Sequence, residues 1–294
     1  MKTLTYYSEK GGVGKSTFTI MNASWFMHNM GMKVAVADFN DRITMYRKAE
    51  IKNREKFIKE NPDTDLLPLD EKTTWPIINC TAKEIINLKK SGIVHPYAYW
   101  FENEIKEGGR LHGYDIILCD FPGSITGGEF VEMYAYKFLS EIVIPTEKDQ
   151  MTLNSMMKLC ECLKGGEKDY CIFINKAQLG MKNFRNTYFN LGKLLISKGF
   201  PVLPDMISYS ERILTIDKVN IIRSTFSFPD FNSPEFNNGN DLGIINLFID
   251  VARELRKRPD IEGTEPVDMS FVDELEKTDD GRQLKGTPFP DYEI

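Results

Sequence analysis

Residues 9 to 17 of the 294-residue chain read Glu9-Lys10-Gly11-Gly12-Val13-Gly14-Lys15-Ser16-Thr17. The stretch follows an apolar, strand-like run that ends at Tyr7 and precedes a helical segment that ends at Gly31. Glycines let the backbone turn sharply and bring closely spaced N–H groups around one point. The positive end of the following helix is directed at the same point. The stretch therefore predicts a phosphate-binding loop.

Two side chains of the loop extend this prediction to a nucleotide. Lys15 can reach the β- and γ-phosphates, and the Ser16 hydroxyl can hold Mg²⁺. The usual P-loop formula requires a glycine five residues before Gly14, where this chain has Glu9. The sequence instead resembles the deviant Walker A loop of the ParA/MinD family of ATPases. In that family the lysine that matches Lys10 reaches across a dimer interface to the partner's nucleotide.

The resemblance implies ATP and Mg²⁺ as cofactors and gives the loop residues their roles. The implied phosphate-binding residues are Gly11, Gly12, Val13, Gly14, Lys15, Ser16 and Thr17, and Lys10 and Lys15 are also implied in catalysis.

Two buried, strand-like runs end in carboxylates, at Asp38 and Asp120. An acid at the end of an apolar run is costly unless it holds a cation or a hydrogen-bond network. Asp120 resembles the family's Walker B aspartate, so the resemblance implies that Ser16 and Asp120 serve Mg²⁺. It also implies that Asp38 orders water near the γ-phosphate, and that Phe121-Pro122-Gly123 forms the second switch.

Asn40 departs from the family pattern, because relatives usually have Asp-x-Asp where this chain reads Asp38-Phe39-Asn40. An asparagine donates and accepts hydrogen bonds but cannot take a proton or add negative charge. The sequence therefore predicts ATP binding more firmly than hydrolysis. Whether Asp41 takes over the role or only caps a turn stays open.

A later resemblance concerns the base of the nucleotide. Ile172-Phe173-Ile174-Asn175-Lys176 looks like the family's strand that ends in an asparagine, whose side chain contacts adenine. An asparagine in this position also commonly forms a turn. The likeness as a whole covers roughly residues 1–50 and 110–255.

Strand-like runs that alternate with helical stretches predict an α/β fold, with a mostly parallel, doubly wound sheet and helices on both faces. The resemblance implies the P-loop NTPase type. We expect an ATPase domain over residues 1–258, with an irregular helical insertion at about 41–113 and a last helix from Leu242 to Lys257. Residues 259–294 read as an extended, proline-containing acidic tail.

Charge and composition limit the classes of protein further. Hydrophobic residues make up 41% and charged residues 27%, an ordinary globular balance. The net charge is −6, of which the tail carries −8, so residues 1–258 carry +2. The start of the chain lacks the apolar run of a signal peptide. We therefore expect a cytoplasmic protein without stable membrane association.

Among relatives of this kind, partition ATPases fit the sequence best. The five cysteines form no C-x-x-C pair, which disfavours iron–sulfur carriers. The acidic C-terminal region lacks the basic amphipathic helix of membrane-positioning relatives. The resemblance then implies an ATP-dependent homodimer, non-specific DNA binding and a ParB-like adaptor that binds a centromere-like site and stimulates hydrolysis.

Two basic clusters favour DNA phosphates as partners. They consist of Lys176, Lys182, Arg185, Lys193 and Lys198, and of Arg253, Arg256, Lys257 and Arg258. Two alternatives stay open. One is a small-molecule ligase of the dethiobiotin synthetase type, and the other is a non-hydrolysing, ATP-gated regulator, which Asn40 favours.

Overall fold

The computed structural model describes residues 1–63, 68–69, 74–123, 130–131, 138–165, 169–177, 184–208 and 242–278. These residues form a seven-stranded sheet in the order β3-β2-β4-β1-β5-β6-β7, and neighbouring strands pair in parallel. The strands are β1 (Lys2–Tyr6), β2 (Val34–Asp38), β3 (Ile77–Asn79), β4 (Ile116–Asp120), β5 (Glu141–Thr146), β6 (Cys171–Ala177) and β7 (Val202–Ser208). The predicted parallel sheet is confirmed.

Helices cover both faces of this sheet. They are α1 (Lys15–His28), α2 (Arg42–Glu60), α3 (Ala82–Lys90), α4 (Pro96–Ile105), α5 (Gln150–Gly165), α6 (Phe184–Ser197), α7 (Leu242–Lys257) and α8 (Phe271–Thr278). The last predicted helix has the bounds that the sequence indicates. Within the described residues, no helix combines the length and the apolar character that crossing a membrane requires.

The core lies in two layers, one on each side of the sheet, because successive side chains of a strand point to opposite faces. In β4, Ile117 and Cys119 pack in one layer with residues of α3, α4, α5 and α6. Ile116 and Leu118 pack in the other layer with residues of α1, α7 and α8. The doubly wound arrangement is therefore confirmed.

The 41–113 segment contributes a strand that the sequence analysis does not predict. Its helices α2, α3 and α4 accompany β3, which pairs with β2 so that Val36 lies beside Ile77 and Asp38 beside Asn79. The strand is only three residues long, too short to be recognised by its pattern. Its pairing makes the segment an edge of the sheet, and the domain boundaries stay a prediction.

The first part of the predicted tail packs against the α/β fold. The Ile261 N–H donates to the Met1 carbonyl at 2.9 Å, and the Lys2 ammonium lies 3.9 Å from Asp260. Further along, Met269 and Val272 are buried beside α1 and α7. The acidic charge of residues 259–278 thus neighbours the N-terminal end of the sheet. Residues 279–294 lie outside the described residues.

The carboxyl ends of the strands meet at one edge of the sheet, and the polar residues of the sequence analysis lie there. β1 is flanked by β4 on one side and β5 on the other. Asp38 and Asp120 are register partners at the ends of β2 and β4. Open α/β sheets bind ligands at this edge, which makes it the candidate functional site.

Candidate active site

The glycine-rich loop joins β1 to α1 and opens onto this edge. Gly12 and Gly14 have φ angles of 77° and 94°, in the left-handed region that favours glycine. A Cβ at Gly14 would also lie 2.9 Å from the Phe18 ring. Gly14 is the N-cap of α1 and has no side chain to cap the first turn. The N–H groups of that turn are therefore suited to bind an anion.

Lys15 lies in the centre of this arrangement. Its Nζ donates to the Lys10 carbonyl at 2.8 Å, and a Cβ at Gly123 would lie 3.0 Å from it. Burial lowers the pKa of Lys15 to about 8, although the charge of Asp120 opposes the shift. Gly123, in the predicted second switch, thus lies directly against the ammonium group that would contact phosphates. The half-buried Thr17 follows in the first turn of α1.

Ser16 and Asp120 form the pair that the sequence implies for a metal. The Ser16 Oγ lies 3.0 and 2.8 Å from the two carboxylate oxygens of Asp120. Burial raises the pKa of Asp120 to about 7, against the hydrogen bond from Ser16. Mg²⁺ prefers oxygen ligands and usually takes only one or two protein groups beside phosphates and water. The donor set therefore fits Mg²⁺ that arrives with a nucleotide.

Asp38 is wholly buried, and both of its carboxylate oxygens accept hydrogen bonds at the start of α2. Oδ1 accepts from the Asn40 N–H at 3.0 Å, and Oδ2 accepts from the N–H and hydroxyl of Thr44 at 2.8 and 2.7 Å. The Asn40 amide in turn lies 3.4 Å from the Asp120 carboxylate. Asp38 is thus engaged as a cap of α2. Asp41, the N-cap residue of α2, is exposed and accepts from Asn79.

Lys10 lies on the other side of the loop, in an ion pair within the same chain. Its Nζ donates to the Asp149 carboxylate at 2.8 Å and to the Thr152 hydroxyl at 2.6 Å. Asp149 precedes α5, and its other oxygen accepts the Thr152 N–H at 3.0 Å. The Lys10 hydrogen bond holds the pKa of the Asp149 carboxyl far below its usual range. Two of the three ammonium hydrogens of Lys10 are thus used within the chain, and one remains for another molecule.

Asn175 and Lys176 hold the loop from behind. The Asn175 amide donates to the Val13 carbonyl at 2.9 Å, and its oxygen accepts the Lys176 N–H at 2.8 Å. The Lys176 ammonium donates to the Gly12 carbonyl at 2.7 Å and lies 2.8 Å from Glu147. These contacts keep two loop carbonyls turned away from the phosphate side. An amide hydrogen and a carbonyl lone pair of Asn175 remain for a base.

The second predicted basic cluster is neutralised within the protein. Arg253 pairs with Asp250 at 2.7 Å, Arg256 with Asp273 at 2.5 Å and Lys257 with Glu254 at 2.6 Å. Arg258 pairs with the buried Glu141 and lies 3.1 Å from Asp169. In the first cluster, Lys176 is engaged with the loop, and Lys182 and the Arg185 side chain lie outside the described residues. Lys193 on α6 and Lys198 in the turn after α6 are exposed.

The sequence analysis does not identify several of these residues. Thr44, Asp149, Thr152 and Glu147 carry no motif, and only the fold brings them to the loop. Lys176 is noticed in the sequence as a basic residue after the asparagine, but not as a partner of the loop. Within the described residues, no three acidic, histidine or cysteine side chains cluster in a way that could hold a metal without a nucleotide.

A scan against protein-family models and a search of the curated proteins each find no match. Solved structures are similar in fold. A Borrelia burgdorferi protein assigned to plasmid partition and bound to AMPPNP is 21% identical, with a TM-score of 0.56 over 85% of this chain and 99% of its own. The Aquifex aeolicus MinC:MinD cell division complex is 17% identical, with a TM-score of 0.55 over 91% of this chain and 100% of the matched chain. A McdA–ATP complex from Cyanothece is 15% identical, with a TM-score of 0.54 over 89% of this chain and 99% of its own.

The parallel sheet and the glycine-rich loop between β1 and α1 together give the chain the fold of the P-loop NTPases. The comparisons narrow the fold further. The chain has the fold of the ParA/MinD-type ATPases, over nearly the whole length of each of these three structures.

Proposed function

We propose that this chain is a ParA-like, Mg·ATP-dependent ATPase that dimerises with ATP and serves the partition or maintenance of a plasmid or other mobile DNA in the cytoplasm. The observation that carries the proposal is the contact of Ser16 with Asp120 beside a glycine-rich loop whose carbonyls are held by Asn175 and Lys176. The AMPPNP and ATP in two similar structures support the choice of nucleotide.

The site residues act as follows in the proposed function. Backbone N–H groups from Gly11 to Thr17 bind the phosphates, and Lys15 neutralises their charge. Ser16 and Asp120 hold Mg²⁺, which would offset charge on the β- and γ-phosphates. Lys10 leaves Asp149 and bridges to the nucleotide of a second copy. Asn175 uses its remaining hydrogen-bonding capacity on adenine.

Hydrolysis is proposed to be slow and to depend on an adaptor. Asp38 is fully buried and accepts three hydrogen bonds from Asn40 and Thr44, so the start of α2 must release part of this network before water can reach the carboxylate. A ParB-like partner that shifts the start of α2 would provide this release. If no partner does so, the same geometry supports the second candidate function, a non-hydrolysing regulator that ATP gates.

The decisive experiment measures binding to duplex DNA with ATP, with ADP and without nucleotide, at two salt concentrations. The proposal predicts binding with ATP alone, weakening at least tenfold between about 50 and 200 mM salt because phosphate contacts release counterions. Equal binding in all three nucleotide states contradicts it. ATP turnover that a small carboxylic acid stimulates, without DNA binding, would instead support a ligase.

A further inference from the structure

The outward face of α2 carries four exposed lysines in one row, Lys48, Lys52, Lys56 and Lys59. At 3.6 residues per turn they fall within an arc of about 80°, and at 1.5 Å per residue the row is about 16 Å long. We name these four residues the α2 lysine row. Glu55 and Glu60 border it, and Glu60 lies 3.8 Å from Lys56.

The opposite side of α2 fixes the helix to the protein. Ile43 and Arg54 are buried. Arg47 donates to the Thr74 hydroxyl at 2.7 Å and to the Trp75 carbonyl at 2.9 Å, and its guanidinium lies 4.7 Å from the centre of the Trp75 ring. Because this face is anchored, the lysine row is presented from a rigid element, as a recognition surface requires.

The α2 lysine row differs from the basic clusters of the sequence analysis in its electrostatic surroundings. Each cation of the second basic cluster has an acidic partner within the protein; these cations are Arg253, Arg256, Lys257 and Arg258. Lys176 of the first cluster is engaged with Glu147 and the glycine-rich loop. In the row, Lys56 pairs with Glu60, whereas no ion pair within the described residues involves Lys48, Lys52 or Lys59, whose charge stays available to an external anion. A polyanion gains more from such a row than from cations that are already paired.

We propose that the α2 lysine row binds the phosphate backbone of double-stranded DNA. The row is about 16 Å long, so its lysines can contact several neighbouring phosphates of one DNA duplex, each lysine neutralising one charge. Lysine contacts phosphate as a point charge and reads no bases, which fits non-specific binding. This inference rests on the DNA-binding part of the proposed function and assigns its surface.

The position of the row also connects it to the nucleotide. Asp38, at the end of β2, holds the N–H and hydroxyl of Thr44 in the first turn of α2. A change at Asp38 when ATP and Mg²⁺ bind would therefore act on the helix that carries the row. DNA affinity then depends on the nucleotide state without any direct contact between DNA and nucleotide.

The test compares the full-length wild type with a triple variant, Lys48→Gln/Lys52→Gln/Lys59→Gln, which leaves the paired Lys56 in place. The matched control, Lys83→Gln/Lys89→Gln/Lys90→Gln, removes the same charge from exposed positions of α3. Binding to a duplex of random sequence is measured with ATP between about 50 and 200 mM salt. Thermal unfolding and ATP affinity of each variant are measured in parallel.

The row variant should lose about tenfold or more in DNA affinity, and the slope of log K against log salt should fall by two to three, since each lost phosphate contact removes about 0.9. The α3 control should keep both values, and all variants should bind ATP alike. Wild-type protein that binds no DNA in any nucleotide state overturns the proposed DNA binding and this inference together.

Three results overturn the inference alone while the wild type binds DNA. The first is a row variant that loses no more affinity than the α3 control. The second is that a Lys193→Gln/Lys198→Gln variant, on α6 and the turn after it, accounts for the whole loss of DNA binding. The third is a row variant that keeps DNA binding but no longer binds vesicles that contain phosphatidylserine.

Discussion

The two halves of the sheet beside β1 support the phosphate loop in different ways. The half with β4 and β2 brings the carboxylates Asp120 and Asp38 and the amide of Asn40, which are groups for metal and water. The half with β5 and β6 brings Asn175 and Lys176, which hold the loop carbonyls. In the proposed function, nucleotide affinity and turnover therefore depend on separate elements, which substitutions can distinguish.

Lys15 lies between the two halves, and its loss should have the largest effect. We expect Lys15→Ala to weaken ATP and ADP binding at least about 100-fold, or roughly 2.7 kcal/mol, because a buried cation at the phosphates is removed. Titration with a fluorescent nucleotide measures the effect. Lys33→Ala, at an exposed lysine outside the loop, is the control. Retained affinity in Lys15→Ala would show that the loop does not bind phosphates as proposed.

Lys10 should separate dimerisation from binding. Lys10→Ala should keep nucleotide affinity within a few-fold but lose ATP-dependent dimerisation and reduce hydrolysis about thirtyfold or more, because charge stabilisation of phosphoryl transfer is lost. Light scattering with ATP gives the oligomeric state, and phosphate release gives the rate. Lys148→Ala, at an exposed lysine beside Asp149, controls for the loss of charge. A Lys10→Ala protein that dimerises normally would disprove the role of the deviant loop.

Residues within one continuous motif are the part of the site that the sequence predicts well. The loop from Lys10 to Thr17 needs glycines at fixed positions, and Asp120 ends a buried run, so both are visible in the pattern. The sheet can be predicted because apolar runs such as 34–37 and 116–119 are typical of buried parallel strands. Strand β3 has three residues and is paired through Asp38 and its neighbours in β2, so no local pattern identifies it.

Contacts between distant segments are the part that the sequence does not predict. Lys10 and Asp149 are separated by 139 positions, and Gly12 and Lys176 by 164. Such pairs follow from strand order, which a single sequence leaves undetermined. The cations at the end of α7 are a further example, because acidic partners such as Asp273 of Arg256 and Glu141 of Arg258 become neighbours only after folding. Charge counted along the chain therefore overestimates the charge that α7 offers to DNA.

Lys176 tests the half of the sheet that holds the loop. Lys176→Met should raise the Kd of ATP and ADP about tenfold, or 1.4 kcal/mol, since a charged hydrogen bond to the Gly12 carbonyl is lost. The rate at which bound ATP is hydrolysed in a single turnover should not change. Lys176→Arg should restore much of the affinity, because it keeps a cation between Glu147 and the loop. An equal loss in rate and affinity would contradict the separation of the two halves.

Asn40 tests the other half, and its effect should be the smallest. Asn40→Asp restores the carboxylate of the family pattern and should raise the single-turnover rate about threefold at saturating Mg²⁺, because a second acid can help to place water. The same change puts a negative charge where the Asn40 amide lies 3.4 Å from Asp120. Like charges at this distance repel, and Mg²⁺ bound beside them relieves the repulsion, so the variant should also need less Mg²⁺ for half-maximal activity. Nucleotide affinity without Mg²⁺ should not improve, since the loop is held from β6.

Equal single-turnover rates for variant and wild type would show that Asn40 does not limit hydrolysis. The hydrogen bonds of Asp38 to α2 would then be the barrier that an adaptor must remove.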